Sequence, residues 1–175
     1  MFKIAIVGRP NVGKSTFFNR IVGKKKAIVS NISGLTQDRQ YSKAKLLDLE
    51  FELIDTAGIE GVFEDKNLNN YIFQTKEAIK EADLIIFMTD VSTGILPLDY
   101  LLSKNIRKFD KQIIHIANKA DMNKKQFNLE EVKKIGFGDA FLVSSEHNFG
   151  FNDLYYCLNS IIEKKNIIKK TKMDI

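Results

Sequence analysis

The feature that most constrains this chain is the stretch GRPNVGKST, Gly8 to Thr16, set between an apolar run, FKIAIV, and a helix-forming pattern, KSTFFNRIV. A run of strand-forming residues broken by two glycines and a proline, with a helix beginning at once, commits the chain to strand, tight turn and helix. The positions Gly8, Gly13, Lys14 and Ser15 fit the spacing G-x-x-x-x-G-K-[ST] in the context that gives that spacing meaning. Glycines let the loop turn its N–H groups inward around an anionic oxygen. The new helix adds its own free N–H groups and positive dipole end. Lys14 can then reach the outer phosphates of a nucleotide while the Ser15 hydroxyl ligates Mg²⁺. Gly8, Arg9, Pro10, Asn11, Val12, Gly13, Lys14, Ser15 and Thr16 form the expected phosphate cradle. The nearby Gly23-Lys24 is not a second one, because Phe18 stands where the first glycine belongs and Lys25 where Ser or Thr belongs.

Beyond this loop, short apolar runs alternate with longer amphipathic ones. Strands are expected at Phe2 to Val7, Tyr41 to Leu47, Phe51 to Ile54, Leu84 to Thr89, Gln112 to Ala117 and Ala140 to Val143. Helices are expected to begin near Lys14, Tyr71, Pro97, Leu129 and Asn152. Such alternation argues for a mostly parallel sheet covered by helices. Too little chain separates Tyr41–Leu47 from Phe51–Ile54 for a helical crossover, so that pair is expected to be an antiparallel hairpin at the sheet edge. The stretches Ser30 to Gln40 and Gly58 to Asn70 are polar and aperiodic, and read as long functional loops.

Two further motifs give the cradle a ligand. NKAD, at Asn118, Lys119, Ala120 and Asp121, follows the apolar run QIIHIA and so sits at the carboxyl end of a strand, where open α/β sheets bind ligands. The Asp121 carboxylate can accept N1–H and the N2 amine of guanine. Adenine lacks that amine and presents a lone pair at N1, so a site of this kind can discriminate by ~10⁴ or more. Asn118 is expected to tie this loop to the cradle, and the Lys119 stem to lie along the base. In LIDTAGI, Asp55 ends a strand beside the cradle and can hold Mg²⁺ through water. Thr56, Ala57, Gly58 and Ile59 follow it, and the Gly58 N–H is placed to sense the γ-phosphate. Thr36, in SGLTQDR, is the expected second protein ligand to Mg²⁺, beside Ser15 and Asp55. Ser144, Ser145 and Glu146 follow the last strand and can present a backbone N–H to guanine O6. His115 falls in a strand pattern and is expected to pack in the sheet, His147 to lie in a loop. No His/Cys metal cluster is expected.

With these motifs in order, the chain resembles the Era, TrmE and EngA (Der) group of P-loop GTPases. GLTQDR, DVSTGILPLD at Asp90 to Asp99, and GFGDAFLVSSEHNFGFNDL at Gly136 to Leu154 resemble the first GTPase domain of EngA (Der). The likeness runs from Phe2 to Ile162. It implies an α/β fold of the Ras-like P-loop NTPase type: a six-stranded, mostly parallel sheet with one antiparallel edge strand and helices on both faces. It implies GTP and GDP as ligands, GTP hydrolysis, and a role in large ribosomal subunit assembly that needs the family's second GTPase domain and KH-like domain, neither of which is in this sequence. It also implies a monovalent cation, K⁺, held partly by Asn11. Asn11, Lys14 and Thr36 are the expected catalytic residues. Ile59 stands where Ras-like enzymes carry a water-orienting glutamine, so hydrolysis is expected to be slow in isolation and stimulated by K⁺. DTAG replaces the family's more usual D-T-G-G, and Ser145 its usual Ala.

Composition narrows the alternatives. With 44% hydrophobic and 28% charged residues the chain reads as an ordinary globular protein. The run Leu84 to Met88 is too short to span a bilayer, Phe2 to Val7 is too short for a signal peptide, and one cysteine, Cys157, fits a reducing compartment. A cytoplasmic protein with neither membrane nor DNA partner is expected. The net charge of +5 does not establish an RNA-binding face, because the lysine runs at Lys24–Lys26 and Lys164–Lys172 also read as solvated surface. Residues 1–163 are expected to form the GTPase domain and 164–175 a basic tail or linker. Two rival readings are a guanine-nucleotide-binding regulatory module with negligible turnover and an ATP-using P-loop enzyme. The second predicts no NKAD motif.

Overall fold

A computed structural model describes residues 1–23, 40–56, 68–120 and 128–173. Strand β1 (Lys3–Val7) leads through the Gly8–Gly13 turn into helix α1 (Lys14–Val22). Strands β2 (Gln40–Leu46) and β3 (Leu49–Asp55) follow, then α2 (Leu68–Glu81), β4 (Leu84–Asp90), α3 (Pro97–Ile106), β5 (Gln112–Asn118), α4 (Leu129–Lys133), β6 (Phe141–Leu142) and α5 (Phe151–Met173). The six strands form one sheet in the order β2-β3-β1-β4-β5-β6. Only β2 runs antiparallel, paired to β3 from Gln40↔Asp55 to Leu46↔Leu49, as the short Leu47-Asp48 connection requires.

The central strands are apolar because both their faces are covered. Every residue of β4 is buried, as are Ile4 to Val7 of β1. The pleat sends alternate side chains to opposite sides. Leu84, Ile86 and Met88 pack with Phe17, Phe18 and Ile21 of α1 and with Leu154 and Leu158 of α5. Ile85 and Phe87 pack with Tyr71 and Ile79 of α2, Leu102 and Ile106 of α3, and Val132 of α4. Helices thus cover both faces, as the sequence pattern implies.

The strands β1 to β5 begin or end within one or two residues of the sequence reading, and the differences at β6, α2 and α5 bear on the packing. Strand β6 is two residues long, because the Ser144 and Phe149 backbones bond each other in both directions (3.0 and 3.1 Å) and turn the chain out of the sheet. Helix α2 begins at Leu68, three residues before Tyr71. Helix α5 continues through the basic stretch to Met173. It is tethered on the way by the ion pair Lys165–Asp83, with the Lys165 ammonium also over the Phe2 ring.

Crossovers leave β1 toward β3 on one side while β4 leads to β5 on the other. The loops at the carboxyl ends of β1, β4 and β5 therefore meet at a topological switch point, the place where open α/β sheets hold ligands.

Candidate functional site

The turn after β1 is shaped by two close approaches. A Cβ on Gly8 would stand 2.4 Å from the Met88 carbonyl oxygen of β4, so only glycine lets the turn leave the sheet there. Gly13 has φ +98°, and a Cβ on it would stand 2.2 Å from Asn118 Nδ2. Between them the loop is held from several sides. The Tyr71 hydroxyl of α2 donates to the Gly8 carbonyl. The Arg9 guanidinium is buried, pairing through Nε with Asp99 Oδ2 of α3 at 3.1 Å and donating also to Thr93 Oγ1. Burial pushes the Asp99 carboxyl above its ordinary range, against the opposing influence of the Leu96 N–H and the Arg9 charge. Lys14, 1% exposed, donates from Nζ to the Arg9 carbonyl at 2.8 Å, inside the turn it is expected to serve. Val12 is fully buried, and Ser15 and Thr16 are exposed on the first turn of α1.

Asn118, the last residue of β5, joins this loop to the one after β6. Its Nδ2 donates to the Val12 carbonyl at 2.9 Å. Its Oδ1 accepts from the Ser145 N–H at 3.0 Å and the Ser145 hydroxyl at 2.9 Å. Alanine at position 145 would lack the second of these bonds. Lys119 has φ 65°, which turns the chain so that its ammonium donates to the Asn11 carbonyl at 2.7 Å and pairs with Asp90 Oδ2 at 2.7 Å. Partial burial pushes the Asp90 carboxyl up, but hydrogen bonds from Lys119 and from the Ser92 hydroxyl and N–H, with the Lys119 charge, hold it below its ordinary value. The Ala120 N–H donates to the Val143 carbonyl at 3.1 Å and locks the two strand ends together. Gly13, Thr16, Asn118, Lys119 and Ser144 to Glu146 line a cavity of about 230 Å³.

Three motifs far apart in sequence therefore meet at one opening. Asp55 ends β3, opposite Ile6 of β1. The Thr56 hydroxyl is spent inside the sheet, donating to the Ile6 carbonyl at 2.7 Å, so its part is to fix the strand end. Asn11 is exposed at φ 66°. Thr36, Ala57, Gly58, Ile59 and Asp121 lie outside the described residues. Among the described residues no group of three or more His, Cys, Asp or Glu side chains is placed to hold a metal. His115 is packed in the sheet with Nε2 2.9 Å from Thr89 Oγ1, and burial lowers its pKa to about 4.

Motif reading missed Tyr71, Arg20, Asp90 and Asp99. Asp90 carried a usable signal, since a carboxylate at the carboxyl end of a central strand faces the switch point. Arg20 and Tyr71 act on backbone carbonyls and leave no spacing to detect.

Fold and site together are those of a Ras-like P-loop GTPase. The chain belongs to the 50S ribosome-binding GTPase family, whose model matches residues 3–119. It is 39% identical over 171 residues to the GTPase Der of Brucella anthropi, covering 98% of this chain and 35% of that protein. To the GTPase Der of Mesorhizobium japonicum it is 46% identical over 153 residues, 87% of this chain and 32% of that one. The chain thus spans about a third of the length of these relatives, corresponding to their N-terminal G domain. Among solved structures it is similar to Era in complex with MgGDPNP and nucleotides 1506–1542 of 16S ribosomal RNA. The TM-score is 0.71 at 28% identity, over 90% of this chain and 55% of that one. No helix among the described residues is long and apolar enough to cross a membrane.

Proposed function

We propose that this chain is a guanine-nucleotide switch that binds GTP and GDP through the Gly8–Thr16 cradle and hydrolyses GTP. The observation that carries the reading is the Asn118 side chain, which joins the phosphate turn at Val12 to the Ser145 loop around one cavity. A ligand with a phosphate chain at one end and a purine at the other fits that arrangement, and NKAD selects guanine over adenine. Lys14 and the first-turn N–H groups of α1 bind phosphate, Lys119 flanks the base, and Asp121 reads its N1–H and N2 edge.

The donors suit Mg²⁺. Ser15 is exposed on the first turn of α1 and Asp55 closes the strand beside β1, a hydroxyl and a carboxylate for a cation that takes most of its oxygens from phosphates and water. Thr36 is proposed as the other protein ligand. When bound, Mg²⁺ neutralises charge that develops on the β- and γ-phosphate oxygens. Competition of GTP against ATP on the purified chain with Mg²⁺ tests the reading, and equal affinity for the two nucleotides would overturn it.

Ile59 favours a second reading, a regulatory module with negligible turnover, because an aliphatic side chain cannot hold a water. We place hydrolysis first and propose that it is slow in isolation and stimulated by K⁺ at Asn11. Multiple-turnover phosphate release in KCl and in NaCl separates the two. By family, the switch is proposed to act in the cytoplasm on assembly of the large ribosomal subunit. That contact needs the remainder of a protein as long as its relatives.

A further inference from the structure

The loop that closes the base cavity has four consecutive backbone amides, and three are committed. The Ser144 N–H donates to the Phe149 carbonyl, the Ser145 N–H to Asn118 Oδ1, and the His147 N–H to Ser144 Oγ at 3.1 Å. The Glu146 N–H has no acceptor among the described residues, and Glu146 lines the cavity. The carbonyl in the same peptide unit belongs to Ser145, and it accepts from Nε of Arg20 on α1. A second guanidinium nitrogen of Arg20 donates to the Glu146 carbonyl at 2.7 Å. A trans peptide is planar, with its C=O and N–H pointing in opposite directions. Holding the Ser145 carbonyl toward α1 therefore turns the Glu146 N–H away from α1.

We infer that Arg20 is a specificity-determining positioning residue: by clamping the Ser145 carbonyl it aims the Glu146 N–H at O6 of the bound guanine. This deepens the guanine reading above and rests on it. The guanidinium suits the task because its rigid fork engages two successive carbonyls at once, which a lysine cannot do. The same side chain stands on the helix that begins at the phosphate turn, so base and phosphate ends of the ligand are registered to one rigid element.

The test uses the full chain with GDP, ADP and 6-thioguanosine diphosphate, which keeps N1–H and the N2 amine but replaces O6 with a weaker sulfur acceptor. Arg20→Gln is expected to weaken GDP binding roughly tenfold, the size of one neutral N–H to carbonyl hydrogen bond. The same variant is expected to bind 6-thioguanosine diphosphate almost as well as the parent does, and Arg20→Lys to recover part of the loss for GDP. In the parent, the Glu146 amide proton is expected to move downfield on adding GDP, and less on adding the thio analogue. Equal loss for both guanine nucleotides, no loss for GDP, or an unmoved Glu146 amide would overturn the assignment. Failure of the parent to prefer GDP over ADP would instead overturn the guanine reading itself, before any variant is made.

Discussion

Asn118 Nδ2 donates to the Val12 carbonyl at 2.9 Å and stands 2.2 Å from where a Cβ on Gly13 would be. The glycine of the phosphate turn is thus required by the base motif as well as by its own φ of +98°. Gly13→Ala must strain the backbone by ~1–2 kcal/mol and displace the Asn118 amide from a buried bond worth about 1 kcal/mol. The expected result is a loss of guanine-nucleotide affinity of roughly thirty- to a hundredfold. Gly23→Ala is the control, since its φ is +77° but nothing lies within 4 Å of its added Cβ. Titration calorimetry with GDP checks both. An alanine at position 13 that binds like the parent would show that the two motifs are not coupled through this contact.

Base choice is tested at Asp121. Asp121→Asn replaces a double acceptor by a group that carries a donor, which suits xanthine better than guanine. The loss for GTP is expected to be ~2–4 kcal/mol, with a gain for the xanthine nucleotide. Competition between the two triphosphates reads this directly, and unchanged GTP binding would remove Asp121 from the base pocket.

His115 sets a pH dependence. Its pKa is lowered to about 4 from an ordinary 6.5 by burial, so below pH 6.5 the unfolded chain takes up a proton that the folded chain refuses. Stability is therefore full above 6.5 and falls as pH drops toward 4, by up to about 3 kcal/mol from this residue alone. Asp83 and Asp90, held below their ordinary 3.8, act at still lower pH, and Asp99, raised above it, acts with the opposite sign. The variant His115→Leu with Thr89→Val removes both partners of the 2.9 Å contact, leaving neither unpaired. Urea midpoints between pH 4 and 7 are expected to slope less in that variant than in the parent. Equal slopes would show that His115 titrates normally.

How far the sequence could be read depended on whether a residue acts through its type or through its neighbours. Strands β1, β4 and β5 are mostly apolar runs that lead into Gly8 or end at Asp90 and Asn118, and their alternation with helix patterns was enough to read a mostly parallel sheet. Strand β6 was read too long because its end is fixed by the Ser144–Phe149 bridge, which leaves no periodicity. Gly8, Lys14 and Asn118 announce themselves by spacing. Tyr71, Arg20 and Asp99 do not, because each contributes through a contact between elements: a hydroxyl on the Gly8 carbonyl, a guanidinium on the Ser145 carbonyl, a carboxylate on Arg9. Such partners are set by packing angles that pattern cannot specify.

Asn11 gives the sharpest test of the catalytic reading. Its φ of 66° is a conformation that asparagine tolerates better than most residues, so the turn alone offers a reason for its presence. Its carbonyl is engaged by Lys119, while its exposed side-chain amide makes no hydrogen bond to the described residues. Backbone and side chain can be separated, because glycine accepts the same φ without strain and carries no amide. If Asn11 serves the turn alone, Asn11→Gly hydrolyses GTP as the parent does in any salt. If its amide helps hold K⁺ beside the phosphates, the parent is faster in KCl than in NaCl at equal ionic strength, and Asn11→Gly loses that difference while still binding GDP. Charge stabilisation of this kind is worth roughly a hundredfold or more in turnover, well above the error of a phosphate-release assay. A parent indifferent to K⁺ would leave hydrolysis without a cation and return Asn11 to the turn.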